Sequence, residues 1–319
     1  MRIVFMGTPD FAVPCLKALK DSGHEIITVV TQPDRPKGRG HRLTPPPVKK
    51  AALEAGLRVW QPEKIKTPEC VAGLRQLSPD IIVVVAFGQL LSKEILEIPR
   101  YGCINVHASL LPKYRGAAPI HWAVINGESE TGVTIMQMDV GLDTGDMILM
   151  GKVPVAPEDT TGTVHDKLAE MGAELLAEAI NRIESGKAER VPQDNTSSSY
   201  APLLTKELEK IDWTRSSVEI FNLVRGLNPW PGAYTLLGDK ILKVWGTQAC
   251  TIDRIPGPIP EFSGHQPGEV LGIIPEVGFA VATGNGCLAV TDLQLQGNRR
   301  MKAADFVHGH NITKGVFLD

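Results

Sequence analysis

Ile81-Ile82-Val83-Val84-Val85-Ala86-Phe87 is the longest apolar run in this 319-residue chain. A strand with one face in water alternates apolar and polar side chains. A run that is apolar at every position fits a strand covered on both faces, as in the middle of a parallel sheet. Such a sheet needs helices above and below it. The flanking sequence supplies both element types. Arg2–Gly7 and Glu25–Thr31 are short runs rich in β-branched residues. Between them Phe11–Ser22 reads as a helix, with Pro14 in its first turns and Gly23 as its stop. Cys103–Ser109 and Gly132–Met138 are further strand candidates. Val164, Leu168, Met171, Leu175, Ala179 and Ile183 then recur at three/four spacing, one face of a long helix that Gly186 ends.

This alternation predicts a Rossmann-like α/β domain over residues 1–190, its mostly parallel sheet covered by helices on both faces. Residues 191–205 change character, with Pro192, Asn195, Thr196, three serines and Pro202, and read as a linker. Residues 206–319 carry one helical segment, Ser216–Gly226, and then short strands: Leu236–Trp245, Gly268–Ile274, Gly278–Thr283 and Cys287–Leu295. Asn285-Gly286 marks a hairpin between the last two. A smaller β-barrel of OB-like type is expected there.

Composition limits the function. Apolar residues make up 43% and charged residues 22%, as in a globular protein, which excludes disorder as the main state. Seven apolar residues fall far short of the ~20 that a membrane-crossing helix needs. Met1–Gly7 lacks the apolar core of a secretory leader, and the five cysteines are scattered without a C-x-x-C pair. A reducing cytoplasm, with no disulfide framework and no zinc site, is the expectation. Net charge is −3, and residues 206–319 hold 11 basic against 12 acidic side chains. A polyanionic partner would have to be held by local clusters.

Several segments could carry chemistry. Gly7-Thr8-Pro9-Asp10 follows the first strand, where a dinucleotide site would show G-x-G-x-x-G; with one glycine and a proline, a tight strand–helix turn is the better reading. Asn105-Val106-His107 ends a strand, so the amide and the imidazole share a face beyond which ligands bind in open α/β sheets. On spacing alone, a buried histidine bonded to backbone explains it at least as well. Ser109-Leu110-Leu111-Pro112 follows as an apolar loop with one hydroxyl, suited to a flat heterocycle. Asp139-Val140-Gly141-Leu142-Asp143-Thr144-Gly145-Asp146 lacks the spacing of a calcium loop; it could project one carboxylate toward His107 or be an acidic surface turn. Arg35–Lys50 carries Arg35, Lys37, Arg39, Arg42, Lys49 and Lys50 with no acid among them, which suits either a solvated loop or phosphate contact. Arg299, Arg300 and Lys302 form a second basic cluster. His308-Gly309-His310 has no further ligand at recognisable spacing, and Gly-x-Ser-x-Gly is absent. His121 and Trp122 are assigned to helix packing.

Taken together, these segments resemble the methionyl-tRNA formyltransferases over nearly the whole chain. The likeness is carried by Arg2–Phe11, Thr31–Gly40, Cys103–Pro112, Arg115–Ile120, Glu130–Asp146 and Asn228-Pro229-Trp230-Pro231. The Asn-x-His…Asp set marks the wider folate-dependent formyltransferase group, and the basic loop and C-terminal matches narrow it. The resemblance implies transfer of a formyl group from 10-formyltetrahydrofolate to the amino group of methionyl initiator tRNA, for translation initiation. It implies no tightly bound cofactor, no metal, no membrane and a monomer. It places the catalytic set on Asn105, His107 and Asp143, folate contacts on Ser109, Leu110, Leu111 and Pro112, and tRNA contacts on Lys37, Arg39 and Arg42, with the C-terminal barrel also binding tRNA. Two alternatives stay open: a formyltransferase for glycinamide ribonucleotide or an amino-sugar nucleotide, and a non-catalytic RNA-binding protein on the same scaffold.

Overall fold

A computed structural model describes residues 1–37, 42–250, 264–310 and 312–319. The chain forms two compact units. Met1–Pro119, Glu130–Pro154 and His165–Ala201 build the first; Ile120–Ser129, Val155–Val164 and Pro202–Asp319 build the second.

The first unit contains, in chain order, β1 (Arg2–Gly7), β2 (Glu25–Val30), β3 (Arg35–Lys37), β4 (Arg42–Thr44), β5 (Val59–Trp60), β6 (Ile81–Val85), β7 (Cys103–His107), β8 (Arg115–Gly116), β9 (Glu130–Gln137), β10 (Met147–Pro154) and β11 (Tyr200–Ala201). Seven strands make one sheet in the order β10-β9-β7-β6-β1-β2-β5. From β7 to β5 neighbours run parallel; β9 is antiparallel to β7, and β10 to β9. The all-apolar β6 sits between β1 and β7, buried at every position.

The helices up to residue 184 are α1 (Val13–Asp21), α2 (Pro47–Glu54), α3 (Pro68–Leu77), α4 (Lys93–Leu96), α5 (Pro119–Ile125) and α6 (Thr161–Glu184); α5 beyond Pro119 and α6 up to Val164 are counted with the second unit. On one sheet face Val4, Met6, Val30, Ile82, Val84 and Cys103 pack with Leu74 of α3 and Ile95 of α4. On the other, α6 comes so close that a Cβ on Gly172 would lie 3.1 Å from Val106 Cγ1. The apolar face read for α6 is real: Leu168, Ala179 and Ile183 are buried, joined by Leu176 and Ile180. Strand β10 has no counterpart in the sequence reading. It is an edge strand with alternating burial, broken by Gly151 and Lys152, so it shows no apolar run.

The segment expected as a linker, 191–205, is used differently along its length. Val191 pairs with Met147, Ser199 Oγ accepts from the Tyr114 N–H, and β11 pairs with β8. The boundary between the units falls at Ala201/Pro202. Up to that boundary the expected linker is held by backbone and side-chain hydrogen bonds.

The second unit contains α7 (Lys206–Glu209), α8 (Ser217–Gly226), β12 (Ala233–Leu237), β13 (Lys240–Cys250), β14 (Val270–Ile274), β15 (Gly278–Ala282), β16 (Cys287–Leu295), β17 (Met301–Lys302) and α9 (Ala303–Gly309). A capping box of Ser216 and Glu219 starts α8. The strands pair in the order β12-β13-β16-β15-β14, all antiparallel, with β17 beside β16. Gly286, at φ +91°, turns the expected β15–β16 hairpin. Residues 315–319 close the ring. Val270 N–H donates to the Val316 carbonyl and Leu318 N–H to that of Gly268; Leu236 and Asp319 exchange N–H···O bonds. The sequence reading assigned no element to this tail.

Leu318 is 2% exposed and lies in the barrel core with Trp213, Leu242, Phe279 and Phe306. Leu318→Ala should destabilise the second unit by about 2–4 kcal/mol, since a buried leucine is lost where closure leaves little room to collapse. Urea denaturation followed by tryptophan fluorescence checks this; a loss below about 1 kcal/mol would mean the tail does not close the barrel.

Candidate active site

Asn105 and His107 project from the same face of β7, as strand alternation requires. His107 is 5% exposed, and its Nε2 lies 2.9 Å from the Tyr114 carbonyl oxygen. A carbonyl only accepts, so Nε2 carries a proton and donates it. The other ring nitrogen, Nδ1, lies 3.7 Å from Asp143 Oδ2. Asn105 Nδ2 is 3.5 Å from Asp143 Oδ1. The three side chains thus converge, with the carboxylate between amide and ring.

Asp143 is held from two sides. Its Oδ2 accepts from the Gly116 N–H at 2.8 Å. Its backbone carbonyl, with that of Gly145, accepts from Gln193 Nε2 at 2.9 and 2.7 Å. Asp143 sits at φ +53°, a conformation that costs a non-glycine residue roughly 1–2 kcal/mol. The loop's first acid does different work: Asp139 Oδ1 accepts from the Gly141 N–H and the Thr144 hydroxyl, a local turn. Cys103 lies two residues before Asn105, but burial pushes its thiol up to about 12, so it is a core side chain and not a nucleophile.

The Ser109–Pro112 loop lies directly after β7. Ser109 is fully buried and its hydroxyl donates to the Lys113 carbonyl at 2.6 Å. Thr134 on β9 fastens the loop further, donating to the Ser109 carbonyl and accepting from the Leu111 N–H. The one hydroxyl noted in the sequence therefore shapes the loop, and Leu110 and Pro112 are its partly exposed side chains.

The basic run forms a hairpin, with Arg35 opposite Thr44, Pro36 opposite Leu43 and Lys37 opposite Arg42. Arg39 lies outside the described residues. The run is not uniformly unpaired. Arg35 meets Glu63 at 3.0 Å and Lys49 meets Asp34 at 2.8 Å, acids its own span does not contain. Hydrogen bonds from Gln61 and then Lys49 hold the Asp34 carboxyl below the usual range.

The remaining sequence candidates resolve into packing. A Cβ on Gly7 would lie 2.8 Å from Phe5 and 2.9 Å from Ala12, so the glycine serves a tight strand–helix turn. His121 Nε2 donates to the Trp230 carbonyl, and Trp122 Nε1 donates to that of Pro202. His310 stacks on Phe306, and among the described residues no group of three or more His, Cys, Asp or Glu side chains could hold a metal. No helix among them is long and apolar enough to cross a membrane. Sequence reasoning missed Tyr114, Gln193 and the roles of Arg115 and Gly116; only the segment starting at Arg115 had drawn notice.

A family model described as formyl transferase matches residues 1–180, and one described as formyl transferase, C-terminal domain, matches residues 203–311. Proteins named methionyl-tRNA formyltransferase from Pelotomaculum thermopropionicum and Desulforamulus reducens are 55% and 53% identical over 318 residues, covering 100% of this chain and 98% of each relative. An N-formyltransferase from Helicobacter canadensis, solved with folinic acid and dTDP-3-aminofucose, shares the fold at TM-score 0.63 and 21% identity, over 90% of this chain and 98% of that one. Matched by family models in both halves and by relatives along its full length, this chain belongs to the formyl transferase family.

Proposed function

We infer that this protein transfers the formyl group of 10-formyltetrahydrofolate to the amino group of methionyl initiator tRNA, supporting translation initiation. The convergence of Asn105, His107 and Asp143 carries the chemistry, and the full-length relatives carry the choice of amine. The neutral amine attacks the formyl carbon, whose oxygen becomes negative. Asn105 Nδ2–H and, in the imidazolium form, His107 Nδ1–H donate to that oxyanion; one such donor is typically worth about 3–4 kcal/mol. Asp143 takes the proton from the attacking amine, directly or through one water. The C–N10 bond then breaks and N10 receives a proton, giving formylmethionyl-tRNA and tetrahydrofolate. Positioning of two large substrates supplies much of the remaining rate. The 10-formyltetrahydrofolate is a co-substrate, so neither a resident cofactor nor an enzyme-bound acyl group enters.

In this reading residues 1–190 are the catalytic domain and 206–319 a tRNA-binding barrel. The folate ring lies against Leu110 and Pro112 of the loop that Ser109 and Leu111 anchor. Lys37, Arg39 and Arg42 contact the tRNA. On the barrel, Lys243 and Arg300 each lie 5.4 Å from the Trp245 ring, a cationic and aromatic group suited to RNA. The protein acts as a cytoplasmic monomer.

A formylation assay offering charged initiator tRNA, glycinamide ribonucleotide and an amino-sugar nucleotide tests the choice of amine; formylation of either small amine in preference to the tRNA would overturn it. Asn105→Ala and His107→Ala should each lower kcat about 100-fold or more with thermal unfolding little changed. Near-wild-type turnover in either variant removes it from the oxyanion role.

Lys37→Ala and Arg42→Ala should raise KM for charged tRNA while leaving folate binding intact. Each phosphate contact removed should flatten the slope of log affinity against log salt by about 0.7–0.9. Unchanged tRNA kinetics and salt slope in both variants would make the hairpin an ordinary solvated arm.

A further inference from the structure

We propose that Gln193, oriented by Arg115, is a positioning residue that holds the Asp143 loop in its reactive geometry. This deepens the catalytic reading above and rests on it. Arg115 is 3% exposed, an uncommon place for a guanidinium. Its Nε and Nη2 donate to Gln193 Oε1 at 3.0 and 2.7 Å, and Nη2 also donates to Asn195 Oδ1 at 2.8 Å. The other end of the same Gln193 amide donates to the carbonyls of Asp143 and Gly145. The partners fix which end is which. A guanidinium only donates and a carbonyl only accepts, so Oε1 must face Arg115 and Nε2 must face the loop.

The loop has few ties of its own. Asp139 folds it locally, Val140 and Leu142 are exposed, and Asp143 stands at positive φ. The Gly116 N–H fixes the Asp143 carboxylate, while Gln193 fixes the backbone that carries it. A side-chain amide can join a buried cation to two carbonyls, because its oxygen accepts while its NH2 donates twice. Glutamate, of the same shape, would keep the Arg115 contact but turn lone pairs toward both carbonyls. The rate depends on geometry at this scale, where a shift of about 1 Å can cost about 100-fold.

Gln193→Glu is therefore the test, because it preserves the packing around Arg115. Turnover of charged tRNA should fall at least tenfold, with KM for both substrates within about twofold and the thermal midpoint near wild type. Asp143→Asn should lower turnover on its own, and adding Gln193→Glu to it should then cost less than about twofold more, since the residue positioned is already lost. Gln193→Met, neutral and nearly isosteric, repeats the measurement should the glutamate variant not fold. Wild-type turnover in a folded Gln193 variant, or losses that multiply in the double variant, would overturn the positioning role. If Asp143→Asn itself keeps wild-type turnover, the catalytic reading of Asp143 fails instead, and that result is distinct because it does not involve Gln193.

Discussion

One backbone N–H, that of Gly116, reaches the Asp143 carboxylate at 2.8 Å, and the arrangement of the site depends on the segment that carries it. Tyr114 offers its carbonyl to His107, Arg115 sends its side chain to Gln193 and Asn195, and Gly116 donates to Asp143. The same short segment pairs with β11, where a Cβ on residue 116 would lie 2.9 Å from the Ala201 carbonyl oxygen at φ +114°. Glycine is required there by both space and conformation. Segments far apart in sequence must therefore approach closely before the ring and the carboxylate can face each other.

The hydrogen bond from His107 to a carbonyl separates the two ends of the imidazole. Nε2 is committed to the backbone, which leaves Nδ1 as the end that can exchange protons or donate to developing charge. Burial of the ring reduces competition from water, and electrostatic interactions at Nδ1 are correspondingly stronger. Asn105 cannot change charge, so its contribution is a fixed dipole. An amide, an imidazole and a carboxylate in this order suit a reaction that creates an oxyanion and moves one proton.

Charge on the rest of the molecule is sorted by similar local pairing. The basic run looks uniform in sequence, yet Arg35 and Lys49 are matched by Glu63 and Asp34 at the base of the hairpin. In the proposed reading Lys37, Arg39 and Arg42 serve an external anion. With net charge −3, attraction to a polyanion would be local and would weaken with salt.

The sequence by itself determined the α/β character of the first unit, because an all-apolar strand such as Ile81–Val85 has no stable place except under two layers. It determined the face of α6, and it placed Asn105 and His107 side by side, because strand and helix periods are local properties. Its family resemblance also pointed to Asp143. Other features were decided only by tertiary structure. Strand β10 exists because β9 offers it an edge, and the barrel closes because residues 315–319 fit between β14 and β12. The segment 191–205 reads as a linker, and only the folded chain pairs Val191 with Met147, Ser199 with Tyr114 and β11 with β8. Asp139 and Asp143 are equivalent in composition; one caps its own turn and the other meets His107, because Gly116 and Gln193 lie where only the folded chain brings them. Hydrogen bonds between residues tens of positions apart leave no local pattern to read, and those that hold Asp143 in place are of this kind.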